Sequence, residues 1–361
     1  MGFEDALREV AFTFVRLFAF TAHAVLLGLP VVCLIVLRPA FGRLVDDSWD
    51  VGRNRLALRL EGAARAAMIG SAVATVLGIL LQAVLIASLD EGELSSPSFM
   101  SVFSTSFGQW YLFRLPLLAG LYVLLVGQVA RWSLARAGGG RAWWAGWILL
   151  AFVLVATSTF TGHAAVASPR ALGIGNDLLH LVAGSIWFAG IVMLAVFLPD
   201  AWRGRSEPDR LRLLAPIVVR FSTVALVTIG IVAITGVINS LLNVARFSDL
   251  FGSAYGVTLT IKVLLFFGIL AMGAVNHFIL RDRMQRAATG TGTTSAHITF
   301  RRTIAIELVI ALGIMGATGW LTGQAKTRQT QVRSGVEVGS GVEVGSGVVG
   351  RELEISSART P

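Results

Sequence analysis

Eight separate runs in this chain are long and apolar enough to cross a bilayer as helices. They lie at residues 10–37, 62–89, 110–130, 143–167, 176–199, 216–243, 256–280 and 303–323. About 20 such residues span the hydrocarbon core. The predicted fold class is therefore all-α, a polytopic integral membrane helical bundle with about eight transmembrane helices. Composition agrees: 55% of residues are hydrophobic and only 14% are charged, where a soluble domain carries about 25% charged residues. An ordinary soluble enzyme and a disordered chain are both excluded. The first run is too long for a signal-peptide core, and it follows the acidic start Met1-Gly2-Phe3-Glu4-Asp5. It reads as a retained first helix.

The chain divides into a transmembrane domain, residues 1–323, and a flexible Gly/Ser/Val-rich C-terminal tail, residues 324–361. Within the tail the six residues Gly335–Ser340 are repeated identically as Gly341–Ser346. Such a segment has no means of packing and is left out of the mechanism.

The net charge of +9 invites a nucleic-acid reading, but the positions of the charges oppose it. Arg38, Arg43, Arg53, Arg55 and Arg59 join spans 1 and 2. Arg131, Arg136 and Arg141 join spans 3 and 4. Arg203, Arg205, Arg210 and Arg212 join spans 5 and 6. Arg281, Arg283, Arg286, Arg301 and Arg302 join spans 7 and 8. The alternate connections hold only Arg170 and Arg246. The positive-inside rule places the four basic loops in the cytoplasm and both termini outside. The basic charge is thus a topology signal and a contact with anionic lipid. No nucleic acid is expected as a partner; the bilayer is.

Small residues at four-residue spacing, Gly62, Ala66, Gly70, Ala74 and Gly78, predict a face that a neighbouring helix approaches closely. Gly313, Gly316 and Gly319 suggest the same in span 8. Trp110, Trp143, Trp144 and Trp320 fall near predicted span ends, as interfacial anchors do. Cys33 is the single cysteine; it excludes an internal disulfide and a thiolate cage within one chain.

Ionisable residues at membrane depth are the places to look for function. The outer layer is richest. Span 4 ends in Thr157-Ser158-Thr159-Phe160-Thr161-Gly162-His163. Span 5 opens with Asn176-Asp177-Leu178-Leu179-His180. Asp177 and His180 share a helical face, and the short connection brings His163 to the same surface. Two histidines and a carboxylate with an open position suit Cu(II), Zn(II) or Fe(II); interfacial hydrogen bonding and capping is the plainer reading of the same residues. Asn239 and Asn243 share a face of span 6, and Lys262 lies about two turns into span 7. His23 lies about 20 Å down span 1, near the midplane, where a hydrogen bond to a helix hydroxyl or carbonyl is the simplest role. On the inner side, Glu307 and Arg220 are expected to pair. His277 sits at the cytoplasmic edge and His297 in a cytoplasmic loop. No phosphate loop, haem-attachment motif or nucleophile elbow occurs, so the chain is not expected to be an enzyme.

Several of these pieces together resemble the signature of the CopD-type copper resistance family. They are Thr159 to Ala165 with His163 at the centre, Asp177-Leu178-Leu179-His180-Leu181, and Ser185-Ile186-Trp187-Phe188-Ala189-Gly190. Arg220-Phe221-Ser222, Thr235-Gly236-Val237 with Asn239, Ala254-Tyr255-Gly256 with Leu259 and Lys262, and Arg301-Arg302 before Glu307 continue the pattern. The resemblance runs over residues 143–323 and is weaker over the first three spans. It implies an inner-membrane protein that moves copper ions, of either oxidation state, and a family motif that falls on His163, Asp177 and His180. It also implies a separate CopC-like periplasmic copper-binding protein as partner. On this reading copper arrives at those three residues, His23 is a midplane relay, and His277 is an inner exit ligand. Two alternatives stand beside it: a haem-binding membrane redox protein, with His163 and His180 as axial pair, and a non-transporting copper chaperone or oxidase assembly factor.

Overall fold

The computed structural model describes residues 3–43, 47–89, 96–126, 140–161, 169–244, 246–276, 278, 286 and 296–324. Among these residues it is all-helical, with eight helices long and apolar enough to cross a membrane. They are α1 (Phe3–Val32), α2 (Asp50–Leu89), α3 (Ser106–Val126) and α4 (Arg141–Thr161). α5 (Arg170–Val192), α6 (Glu207–Asn243), α7 (Ala254–Val275) and α8 (Ala296–Leu321) complete the set. His163, His277 and the tail from residue 325 lie outside the described residues.

α1 and α5 form the centre. Each packs on the other, and both also touch α4 and α8; α2 flanks α1 and α6 flanks α5. Their enclosure is the highest in the bundle, with 67% and 56% of their most apolar windows buried against 6–44% elsewhere. Lipid offers no hydrophobic drive between helices, so close fit and hydrogen bonds must hold them. Gly28 supplies the fit: a Cβ there would overlap the Ser185 carbonyl and the Ala189 side chain of α5. Trp147 of α4, fully enclosed, donates Nε1–H to the Leu26 carbonyl at 3.0 Å.

α1 and α5 share an unusual ending. α1 continues through a π-helical turn, Cys33–Leu37, into the short helix Arg38–Phe41; α5 continues through Met193–Phe197 into Leu198–Ala201. Pro39 and Pro199 explain the wider turn. A proline ring meets the carbonyl four residues back and leaves it without a donor. The five-residue step lets the helix run on, with Arg38 N–H bonded to the Cys33 carbonyl and Leu198 N–H to the Met193 carbonyl.

Three sequence expectations are corrected here. Gly62 and Gly70 are not a helix contact, because a Cβ at either meets nothing. The buried face of α2 runs through Leu56, Leu60, Ala64, Ala67, Ser71 and Ala74; the stripe joins it only toward the end of the helix, at Ala74 and at Gly78, which backs onto the Tyr111 ring. Trp143 and Trp144 are buried rather than anchored at the interface, and Trp143 donates to the Leu124 carbonyl at 2.9 Å. Glu307 is met by Asn276, whose amide donates to its carboxylate at 2.5 Å, while Thr303 donates to the Asn276 side-chain carbonyl at 2.7 Å. No ion pair with Arg220 forms among the described residues.

Candidate functional site

A cavity of about 520 Å³ lies between α1, α5, α6, α7 and α8, and it carries most of the polar groups singled out in the sequence. Asp177 and His180 of α5 line it, as do His23 of α1, Lys262 and Tyr255 of α7, and Asn239 of α6. The remaining wall is largely apolar. The helical offset of three residues does place Asp177 and His180 on one face, and that face opens on the cavity.

The His180 ring is oriented by α6. Its Nδ1 stands 2.8 Å from Thr235 Oγ1. The Thr235 hydroxyl already donates to the Ile231 carbonyl at 2.6 Å, so toward the ring it accepts. His180 therefore carries its proton on Nδ1 and keeps the Nε2 lone pair available. Asn176, one residue before Asp177, pins the same helix pair by donating to the Thr235 carbonyl and to Asn239 Oδ1, both at 2.9 Å. A hydrogen bond from Nδ1–H that fixes the ring is the usual support of a histidine that binds a metal through Nε2.

His23 reaches the same cavity from α1, but both of its ring nitrogens are engaged. Nε2 stands 3.0 Å from Ser71 Oγ and Nδ1 3.3 Å from Ser158 Oγ. The hydroxyl bonding expected of a midplane histidine is therefore present, and a relay role requires one of these contacts to open. Among the described residues no three His, Cys, Asp or Glu side chains cluster closely enough to cage a metal ion.

Two residues of this cavity, and a third outside it, were not counted as ligands or partners in the sequence. Lys262 shares the cavity and interacts electrostatically with Asp177 and His180. Met315 of α8 adds a thioether to the wall, the soft donor that favours Cu(I). Arg114 of α3 is only 2% exposed. Its Nε donates to Thr157 Oγ1 at 2.8 Å and its Nη2 to Thr161 Oγ1 at 3.5 Å, and its guanidinium lies 4.0 Å from the Tyr111 ring centroid.

The fold defines a multi-pass membrane protein with an intramembrane cavity lined by His23, Asp177, His180 and Met315 among others. Two family models match the chain in succession: copper resistance protein D-like, N-terminal domain, over residues 7–173, and copper resistance protein D over residues 215–321. The chain belongs to the copper resistance protein D family. It is 31% identical over 252 residues to copper transport protein CutJ of Bacillus subtilis (strain 168), covering 68% of this chain and 44% of that protein. It is 29% identical over 182 residues to copper resistance protein D of Pseudomonas syringae pv. tomato, covering 48% and 56% respectively. The chain thus spans about half the length of these curated relatives. No solved structure matches it. The similarity reaches well into the first three spans, further than the signature residues alone suggested, and residues 174–214, with Asp177 and His180, fall between the two family matches.

Proposed function

We propose that this chain moves copper ions through the cytoplasmic membrane by way of the cavity between α1, α5, α6, α7 and α8. The observation that carries the reading is the meeting of Asp177, His180 and His23 on that one cavity, in a chain of the copper resistance protein D family. His180 Nε2 and the Asp177 carboxylate are the first ligands, with His163 joining them from the end of α4. Copper competes with the Lys262 ammonium for Asp177 as it binds. Met315 and His23 then take the ion deeper, His23 by releasing Ser71 or Ser158. The alternation of arginines between spans supports a periplasmic-facing site, with the basic loops in the cytoplasm. A separate CopC-like copper-binding protein is the partner that delivers the ion, and the chain acts as a transporter rather than an enzyme.

Copper titration of the detergent-purified chain tests the site. The wild type is expected to bind copper saturably. Thr235→Val removes the acceptor behind His180 and leaves both ring nitrogens without orientation, so affinity is expected to fall about tenfold. Unchanged affinity in Thr235→Val would remove His180 from the ligand set.

A further inference from the structure

The first four spans and the last four are built on one plan. α1 and α5 each end in a π-helical turn followed by a four-residue helix with proline in its first turn. α2 and α6 are the longest helices of their halves, at 40 and 37 residues. A short helix follows each, Ser96–Ser104 or Asp249–Gly252, and lies against the span that comes next. That span begins with the same device. Thr105 Oγ1 accepts the Gly108 N–H at 3.0 Å, and Ser253 Oγ accepts the Gly256 N–H at 2.9 Å. Each glycine backs onto a carbonyl of the preceding short helix, Val102 or Asp249, where no Cβ fits.

The polar groups repeat as well. Six residues after the glycine stands a cation, Arg114 in α3 and Lys262 in α7. The fourth helix of each half ends in two threonines four residues apart with a glycine after the second: Thr157, Thr161 and Gly162, then Thr318, Thr322 and Gly323. The chain is a tandem of two four-helix units, and the copper cavity belongs mainly to the second.

The two units differ in charge. Lys262 has the Asp177 carboxylate within electrostatic reach, whereas among the described residues no carboxylate acts on Arg114. With the π-helical turns of α1 and α5 aligned, the residue that stands in the place of Asp177 is Leu17. No carboxylate pairs with Arg114 among the described residues. A guanidinium has five N–H donors. Nε and Nη2 are engaged by Thr157 and Thr161, whereas the buried Nη1 has no partner. Arg16 of α1 interacts with the same Tyr111 that lies beneath Arg114, but Arg16 also has Glu9 of its own helix within electrostatic reach, which leaves Arg114 as the cation without a carboxylate. An uncompensated charge at membrane depth is strongly unfavourable, and a cation repels copper.

We propose that the first unit holds a second, oppositely signed site, the buried Nη1 edge of Arg114, that binds a small monovalent anion of the chloride class. The ligand is small because Arg114 is almost fully enclosed. It accepts from Nη1–H and completes the coordination that the threonines begin. This reading goes beyond the copper proposal and stands or falls without it.

Thermal unfolding of the purified full chain, in chloride against gluconate at constant ionic strength and without copper, tests the proposal. A ligand that binds only the folded state raises the midpoint in a saturable way. The wild type is expected to gain about 3 °C at saturating chloride. Lys262→Gln is expected to keep that gain and Arg114→Gln to lose it. Chlorine-35 NMR of the wild type supplies a measure that needs no variant: saturable line broadening, reversed by bromide, is expected. Absence of saturable broadening would overturn the site even if Arg114→Gln failed to fold. An equal chloride gain in Arg114→Gln would overturn it too.

Discussion

His180→Ala is expected to weaken copper binding by the purified chain at least ~100-fold. The Thr235 hydroxyl donates to its own helix, which obliges His180 to present Nδ1–H to it. Nε2 is left as the one oriented imidazole lone pair that α5 brings to the cavity. Alanine removes it, and Asp177 alone is left facing the Lys262 ammonium. A single carboxylate beside a lysine is a poor ligand for copper. His180→Asn is the informative companion, since it keeps volume and a hydrogen bond to Thr235 but offers no imidazole; the same loss is expected. Helix content by circular dichroism should be unchanged in both, because neither residue change touches the α1–α5 contact.

Gly28→Ala is expected to have the opposite profile, a structural loss with the ligands intact. The new Cβ would overlap the Ser185 carbonyl and the Ala189 side chain. A backbone carbonyl in the middle of α5 has no rotamer to yield, so the helices must separate. Overpacking of this kind costs about 3 kcal/mol. Because α1 carries His23 and α5 carries Asp177 and His180, the same separation widens the cavity. The measurable result is a lower thermal midpoint and lower yield of folded protein, with copper binding weakened in whatever fraction remains folded. Gly175→Ala, on the same helix as Ser185 but with open space around it, is expected to leave the midpoint within about 1 °C.

The eight spans were legible because each run had to be about 20 apolar residues long, a length that soluble helices seldom sustain. Asp177 and His180 were legible as one face because helical geometry fixes that relation locally. The contacts between distant helices were not. Arg114 sits between Phe113 and Leu115 inside an apolar run, and a count of arginines between spans passes over it. Its partners Thr157 and Thr161 lie on the next span, and only packing brings them together. Thr235 stood in the sequence beside Gly236 as part of a family-like motif, yet its role came from the hydroxyl it shares with His180. Met315 and Lys262 were assigned by their place on the cavity wall. The small-residue stripe of α2 misled because four-residue spacing marks a face without saying what lies against it. The tandem units escaped notice because what they share is a spacing of turns, glycines and charges rather than a run of identical residues.

The central claim is that copper passes through this chain. Flux of radioactive copper into sealed vesicles that contain the purified protein tests it most directly. The account predicts saturable flux above protein-free vesicles, and its loss in His180→Ala. Vesicles in which the wild type binds copper at His180 yet passes none would contradict it, and would mark the chain as a carrier that hands copper on without moving it across the membrane.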